Sequence, residues 1–254
     1  MSKFRSARAV LAVAASVALA GCSASASSSV AVSSGTSSSA SAKPATTPNA
    51  NSNAFVPTGS ISFPIAVGNI WVYQTTANVD GARSIQTNRV LSVVPTSGGR
   101  RVMMSESTDL SGATPTEDDA FFFYSNGTIG YPVTGGEVSV LSPGVLWPSA
   151  AGLASGRAFR SVLRVKVNKT GPAQDANVTV QGQGTHTVTV PAGTYQATLV
   201  TMIMSVRVGD FGSDEEIETW VAPGTGPVKS QVFLLAGGRS KLTTTEELLT
   251  FTKG

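Results

Sequence analysis

The chain of 254 residues contains one histidine, His186, and one cysteine, Cys22. Zinc sites take three or four protein ligands, drawn mainly from these two residue types. A zinc centre built from several histidines or thiolates is therefore excluded, and a single thiol cannot form a disulfide within a monomer. We expect neither a metal site nor a cofactor.

Catalytic motifs are also missing from the sequence. It contains no G-x-S-x-G nucleophile turn, no Ser three residues before a Lys, and no G-x-x-x-x-G-K phosphate loop. A hydrolase would have to use His186 with a carboxylate. In "THTVTV", His186 shares strand parity with Val188 and Val190, which predicts an inward-pointing, half-buried and hydrogen-bonded histidine near a strand end. We therefore do not expect an enzyme, and a hydrolase is the third alternative.

Two acidic clusters, Glu117 to Asp119 and Asp214 to Glu218, could supply oxygen ligands to a hard cation or a carboxylate pair to a glycosidase. Neither has the spacing of a calcium-binding loop. Each precedes an apolar strand, so we interpret both as solvated turns that discourage strand pairing at an edge.

The excess of positive charge is confined to the first residues of the chain. Three of the 18 basic residues, Lys3, Arg5 and Arg8, lie before an apolar run from Ala9 to Ala20, which leaves 15 basic against 15 acidic residues. A neutral remainder gives no electrostatic reason to bind nucleic acid. The basic start followed by a short apolar run is typical of an export signal.

The end of this segment, Leu19-Ala20-Gly21-Cys22, resembles the lipobox of bacterial lipoproteins at all four positions. The resemblance implies a signal peptide over residues 1–21 and a diacylglyceryl group on the Cys22 sulfur. The membrane is then a partner of the protein through this lipid anchor. We expect the chain in the cell envelope, on the outer face of the cell membrane, or on the outer membrane of a Gram-negative organism.

Residues 22–53 combine the lipidated cysteine with a segment rich in Ser, Ala and Thr. Lys43 is the only charged residue in Ser23 to Asn53, and almost no side chain there is large enough to bury. Such a composition cannot offset the entropy of ordering, so we expect a disordered tether. A flexible coil of this length spans about 30 Å.

Residues 54–254 read as one all-β extracytoplasmic domain. Runs rich in Val, Ile, Thr and aromatic residues are separated by Gly, Pro, Asn and Asp, which predicts about ten antiparallel strands in a curved sheet, half-barrel or sandwich. Asn126-Gly127 predicts a type I′ hairpin turn. Val190 to Gly193 predicts a type I turn with Gly193 as a left-handed bulge residue, the usual three-residue connection.

Four segments of this domain, "FPIAVGNIWVY", "VTVPAGTYQA", "WVAPGTGPVK" and "ELLTF", resemble a group of bacterial surface lipoproteins and periplasmic domains. These are similar, more loosely, to LolA/LppX-type half-barrels. The second resemblance implies a curved antiparallel sheet that shelters an apolar cavity for acyl chains. Neither resemblance transfers a catalytic residue to this chain.

The stretch "LVTMIMSVRV" places Val200, Met202, Met204 and Val206 on one wholly apolar strand face. Methionine side chains adapt to irregular or flexible ligands, so we predict that these four residues bind an apolar ligand. The leading hypothesis is a lipid-anchored binding module that sequesters an apolar small molecule or lipid acyl chains. The alternative is a structural or accessory envelope lipoprotein in which the same residues are packed core.

Overall fold

The computed structural model describes residues 63–109, 116–131, 138–140, 145–167, 173–208 and 211–254. Its elements are β1 (Ile70–Ala77), β2 (Arg83–Thr96), β3 (Gly99–Asp109), β4 (Thr116–Tyr124), β5 (Ile129–Tyr131), β6 (Val138–Val140), β7 (Val145–Trp147), α1 (Ala150–Ala154), β8 (Phe159–Val167), β9 (Ala173–Val190), β10 (Gly193–Val208), β11 (Phe211–Ala222), β12 (Gly226–Ala236) and β13 (Arg239–Thr252). Within the described residues, no helix has the length and apolar character that crossing a membrane requires.

All the strands belong to one antiparallel sheet with the order β6-β8-β9-β10-β11-β12-β13-β1-β2-β3-β4-β5-β7. Strands β8 to β13 follow the chain order, and β13 then pairs with β1, so the two halves of the domain meet at that pair. The predicted all-β fold, with antiparallel strands in a curved sheet, is confirmed.

Within the described residues the sheet contains thirteen strands, more than the number counted from the sequence. The additional strands include β5, β6 and β7, which are three residues long. A strand this short has too few residues to show an alternating pattern. β5 pairs with the longer β4 and β6 with the longer β8, whereas β7 pairs with the short β5.

The curvature of the sheet is visible in contacts between strands that are not neighbours. The β9–β10 turn reaches β13, where the Ala192 amide donates a 2.9 Å hydrogen bond to the Leu248 carbonyl. Strand β7, at one edge, also contacts β8, near the other edge. A flat sheet could not make these contacts, so the strands curve around a common inner face.

Both predicted hairpin turns are present, with connections of different lengths from those predicted. At Asn126-Gly127, the Gly127 amide donates to the Tyr124 carbonyl at 2.9 Å, and the Tyr124 amide donates to the Thr128 carbonyl at 2.9 Å. Asn126 and Gly127 therefore occupy the third and fourth positions of the turn, not its two central positions as type I′ requires. A type I′ turn at this dipeptide was a wrong prediction.

In the second hairpin, Gly193 already pairs with Val190. Only Pro191 and Ala192 lie between the strands, so the predicted three-residue connection is wrong. Gly193 has a φ of 134°, within the positive range where a Cβ atom is strained. The prediction that this position needs glycine is therefore supported by the backbone.

Candidate binding site

The inner face of the sheet carries a continuous apolar patch on β8 to β11. Its members are buried side chains of one hydrophobic cluster: Leu163, Ala176, Val178, Val180, Val200, Met202, Met204 and Ile217. Met202 lies opposite Val180 on one neighbouring strand and opposite Ile217 on the other. Cross-strand pairs of this kind are in direct contact, so the patch spans the strands without a polar interruption.

Three of the four residues predicted to bind an apolar ligand lie in this patch. Val200, Met202 and Met204 have exposed fractions of 0%, 1% and 2%. Val206 lies in β10, opposite Ala176 and Ser213, but its side chain is outside the described residues. The predicted inward face of β10 is therefore present, and its role in ligand binding remains a prediction.

A polar cluster continues the same inner face from β11 through β13 to β3. Its members are buried polar residues: Thr75, Gln86, Asn88, Thr108, Thr219, Ser230, Thr244 and Glu246. One row of directly paired residues crosses five strands in the order Val200, Thr219, Ser230, Glu246 and Thr75. The apolar patch and the polar cluster therefore share one surface and meet at the pair of Val200 with Thr219.

Of the eight residues named in this cluster, Glu246 alone has an ionisable side chain, and its exposed fraction is 1%. The Thr75 hydroxyl donates a 3.4 Å hydrogen bond to Glu246 Oε1, whereas Glu246 Oε2 is buried and has no hydrogen-bond partner among the described residues. The hydroxyl oxygen of Ser230, its directly paired neighbour on β12, is also buried, and the described part of the chain gives it no partner. Buried polar atoms are usually hydrogen-bonded, so these two neighbouring atoms make the centre of the polar cluster the candidate position for a ligand's polar group.

The pKa of Glu246 is raised from 4.5 to about 8, first by burial and then by the negative charge of Glu106. The hydrogen bond from Thr75 acts in the opposite sense. Near neutral pH the neutral form of this carboxyl is therefore favoured. A neutral carboxyl can donate one hydrogen bond and accept others, unlike a carboxylate.

Tyr73 and Trp71 of β1 are hydrogen-bonded to the β11–β12 turn and to the first residues of β12. The Tyr73 hydroxyl donates to the Pro227 carbonyl at 3.0 Å, and Trp71 Nε1 donates to the Thr225 carbonyl at 2.6 Å. Burial, and then the charge of Glu246, raise the pKa of the Tyr73 phenol well above its ordinary value. The polar ends of both aromatic residues are thus satisfied by the protein itself.

The polar cluster was missed in the sequence because its residue types normally indicate a solvated strand face. In β13 the order Glu246, Glu247, Leu248, Leu249 fits two opposite assignments of the inward face equally well. Parity with Leu248 would have placed Glu246 inside, and parity with Leu249 would have placed Glu247 inside. The register with β1 and β12 decides between them.

A separate groove of about 500 Å³ lies on the outer face of β9 to β11. Its lining residues are Thr179, Gln181, Gln183, His186, Leu199, Thr201, Ile203, Glu216 and Glu218. The pKa of Glu218 is raised by burial and by the charge of Glu216. The groove brings His186 together with two carboxylates that are far from it in sequence.

The predicted environment of His186 is correct in its hydrogen bond and wrong in its burial. Its Nε2 atom lies 3.1 Å from the Gln183 carbonyl, but the ring is exposed. The register of β9 and β10 shifts where Gln183 and Gly184 lie opposite Leu199, and Gly184 has a φ of 86°. Because of this shift, His186 lines the outer groove with Gln183 and does not continue the inward alternation of Val178 and Val180. Val188, of the same parity as His186 and beyond the same shift, is buried.

The acidic clusters are not turns, which corrects the interpretation given above. Asp214 to Glu218 lies within β11 and pairs with both β10 and β12. Glu117 to Asp119 lies in β4, and the side chains there are outside the described residues. Across the ranges that the structure describes, no group of three or more His, Cys, Asp or Glu side chains could hold a metal ion. Cys22 and the tether also lie outside the described residues.

Comparison with known proteins places this geometry in a recognised fold. No family model and no curated protein matches the chain. A protein from Bacteroides fragilis NCTC 9343, described as exported and as having a YmcC-like fold, superposes with a TM-score of 0.55 at 19% identity, over 76% of this chain and 100% of that one. A protein from Parabacteroides distasonis ATCC 8503, described as a lipoprotein, superposes with a TM-score of 0.57 at 16% identity, over 76% of this chain and 99% of that one. The all-β domain is therefore similar in fold to bacterial proteins of the exported and lipoprotein classes.

Proposed function

We propose that this protein is a lipid-anchored binding module of the cell envelope that holds an amphipathic molecule on the inner face of its curved sheet. The apolar part of the ligand lies against the apolar patch, and its polar end reaches the polar cluster. The observation that carries this proposal is that Glu246 Oε2 and Ser230 Oγ, buried on paired strands, have no hydrogen-bond partner within the described ranges. A ligand that supplies hydrogen bonds would complete both.

The alternative, a structural lipoprotein with a filled core, accounts less well for the polar cluster. A buried polar group without a partner costs about 1–3 kcal/mol, and apolar residues of similar size are often neutral or stabilising at such positions. A domain that needed only stability would have no use for Glu246 between Ser230 and Thr75. A binding site gives these residues a use.

The envelope location rests on two independent features. The fold is similar to that of proteins described as exported and as a lipoprotein. The sequence around Cys22 has the four residues of a lipobox. Together they support a module held outside the cytoplasm by lipid on Cys22, and this arrangement suits binding more than catalysis, since no catalytic motif accompanies it.

Native mass spectrometry of the lipidated full chain, extracted in mild detergent, tests the proposed function. We expect an additional bound mass on top of the covalent lipid, which organic solvent releases as an amphiphile. A chain that carries only its covalent lipid, and that takes up no added amphiphile, would leave the filled-core alternative.

Met202→Trp tests whether the apolar patch takes part. If the ligand lies against Met202, the larger ring should displace it, so the bound mass falls while the free energy of unfolding changes little. If Met202 is packed against protein on all sides, overpacking should cost about 1–3 kcal/mol whether or not ligand is present. The second result would remove Met202 from the proposed site.

Cys22→Ala tests the anchor by itself. Because the thioether needs the Cys22 sulfur, we expect the variant to leave the membrane fraction or to remain as an unprocessed precursor. Wild-type processing together with wild-type membrane association would contradict the lipoprotein assignment.

A further inference from the structure

The chemistry of the polar cluster restricts the polar end of the ligand. Of the eight buried polar residues that define the cluster, seven carry hydroxyl or amide side chains, and none is basic. The remaining one, Glu246, is paired across the sheet with Ser230 on one side and Thr75 on the other. The groups that face the ligand are therefore hydrogen-bond donors and acceptors without a positive charge among them.

We propose that Glu246 and Ser230 form a subsite that binds an uncharged, hydroxyl-bearing head group. This inference rests on the proposed function, because it specifies which amphiphile the inner face accepts. A hydroxyl both donates and accepts a hydrogen bond, so one such group can satisfy Glu246 Oε2 and Ser230 Oγ together.

An anionic head group fits this subsite poorly. Among the described residues, two titratable groups are coupled to Glu246. The charge of Glu106 on β3 acts on Glu246, and the charge of Glu246 acts on Tyr73 of β1. Neither supplies a positive charge. An anion placed beside Glu246 would meet the negative charge of Glu106 in a buried environment, where like charges repel strongly. A cationic head group could instead pair with an ionised Glu246, and the experiment below separates that case.

The experiment compares three amphiphiles with the same oleyl-length chain: monooleoylglycerol, which is neutral and carries two hydroxyls, oleate, which is anionic, and oleylamine, which is cationic. Each is added to the lipidated full chain in detergent, and the bound fraction is measured by native mass spectrometry. We expect monooleoylglycerol to bind at least tenfold more tightly than oleate. Equal or tighter binding of oleate would overturn the inference.

Variants at the subsite test the roles of the named side chains. Glu246→Gln keeps a neutral group that donates and accepts, so binding of monooleoylglycerol should stay within about threefold of wild type. Glu246→Leu removes both functions at similar size and should weaken this binding at least tenfold, and Ser230→Ala should weaken it several-fold. Glu247→Leu, on the opposite face beside Lys229, is the matched control and should bind as wild type.

Other results of these binding measurements would contradict the proposed subsite in distinguishable ways. Loss of binding in Glu246→Gln, together with a preference for oleylamine, would show a cation site and overturn the inference. Unchanged binding in Glu246→Leu would show that a buried water, not the ligand, completes the site. Binding of none of the three amphiphiles would contradict the proposed function itself. If Glu246→Leu does not fold, the head-group preference of the wild type and the effect of Ser230→Ala on binding still test whether the subsite binds an uncharged hydroxyl.

Discussion

The apolar patch and the polar cluster occupy the same face of one sheet, are buried to the same degree, and have opposite chemistry. In the patch, Met202 is surrounded by Val180 and Ile217; in the cluster, Glu246 is surrounded by Ser230 and Thr75. Burial of the apolar side chains stabilises the fold by about 25 cal/mol per Å². Burial of the polar ones opposes folding unless every group finds a partner. The apolar part of this face thus stabilises the sheet, whereas the polar part carries buried atoms that lack a partner among the described residues.

This contrast indicates where a ligand can change the protein most. Contact between the apolar patch and a ligand's apolar chain relieves no unsatisfied group. A buried carboxyl with an unpartnered oxygen leaves more free energy for a ligand to gain, because each new hydrogen bond removes a desolvation cost that the folded chain already bears. The polar cluster is therefore the more informative region for mutation.

The largest expected effect is the loss of a side chain from the apolar patch. Met202→Ala should lower the free energy of unfolding by about 2–5 kcal/mol, because it removes buried contacts and leaves a cavity. Ile203→Ala is the matched control, since Ile203 is adjacent in sequence, lies on the outer face and is 38% exposed. Urea denaturation measures both. Equal losses at the two positions would contradict the assignment of the inner face.

The next largest effect is a pH dependence of the unfolding free energy that Glu246 of the polar cluster causes and that the apolar patch cannot cause. The pKa of Glu246 is raised from 4.5 to about 8 in the folded chain. Between these pH values the folded state holds a proton that the unfolded state has released, so the stability of the wild type falls as pH rises through this window. Glu246→Gln has no proton to lose at this position.

Between pH 5 and pH 8.5 the wild type should therefore lose unfolding free energy relative to Glu246→Gln. The expected loss is on the order of a few kcal/mol, since one pKa unit corresponds to about 1.4 kcal/mol. Denaturant melts at several pH values measure it. Glu247→Gln, whose carboxylate lies 3.0 Å from Lys229 Nζ, should not reproduce this change with pH. A constant difference for Glu246→Gln would show that the carboxyl is not held neutral.

A smaller effect is expected at the β9–β10 turn, where the Ala192 amide donates to the Leu248 carbonyl. Gly193→Val should cost about 1–2 kcal/mol, because a β-branched residue is strained at a φ of 134°. Ala192→Ser keeps the amide that donates to Leu248 and should change stability by less than about 0.5 kcal/mol. Thermal melts compare the two variants. If both melt at the wild-type temperature, positive φ at Gly193 is not important.

The sequence predicted the fold class because alternation along the long strands is a direct consequence of burying one face of a sheet. It predicted the inward face of β10 for the same reason: Met202 and Met204 alternate with polar or exposed neighbours. It could not assign Glu246, since two adjacent Glu are followed by two adjacent Leu and either pair fits an inward face. That choice depends on pairing with β1 and β12, which are distant in sequence.

Local patterns also failed where a backbone irregularity changed the alternation. The bulge at Gly184 placed His186 in the outer groove with Gln183, and its parity with Val188 gave the wrong burial because Val188 is buried there and His186 is exposed. The turn at Asn126-Gly127 accepted a three-residue connection, because the pairing of β4 with β5 sets the loop length. Both features are fixed by long-range pairing and have no distinct signal in the residues nearby.

The most direct test of the account is a carbon NMR titration of the Glu246 side-chain carboxyl in the wild-type chain, with Glu246→Gln to assign its signal. The account predicts a midpoint near pH 8, so that the carboxyl is neutral and able to donate a hydrogen bond in the resting protein. A midpoint near the ordinary value of 4.5 would mean that the carboxylate is solvated or paired, and would contradict the neutral subsite.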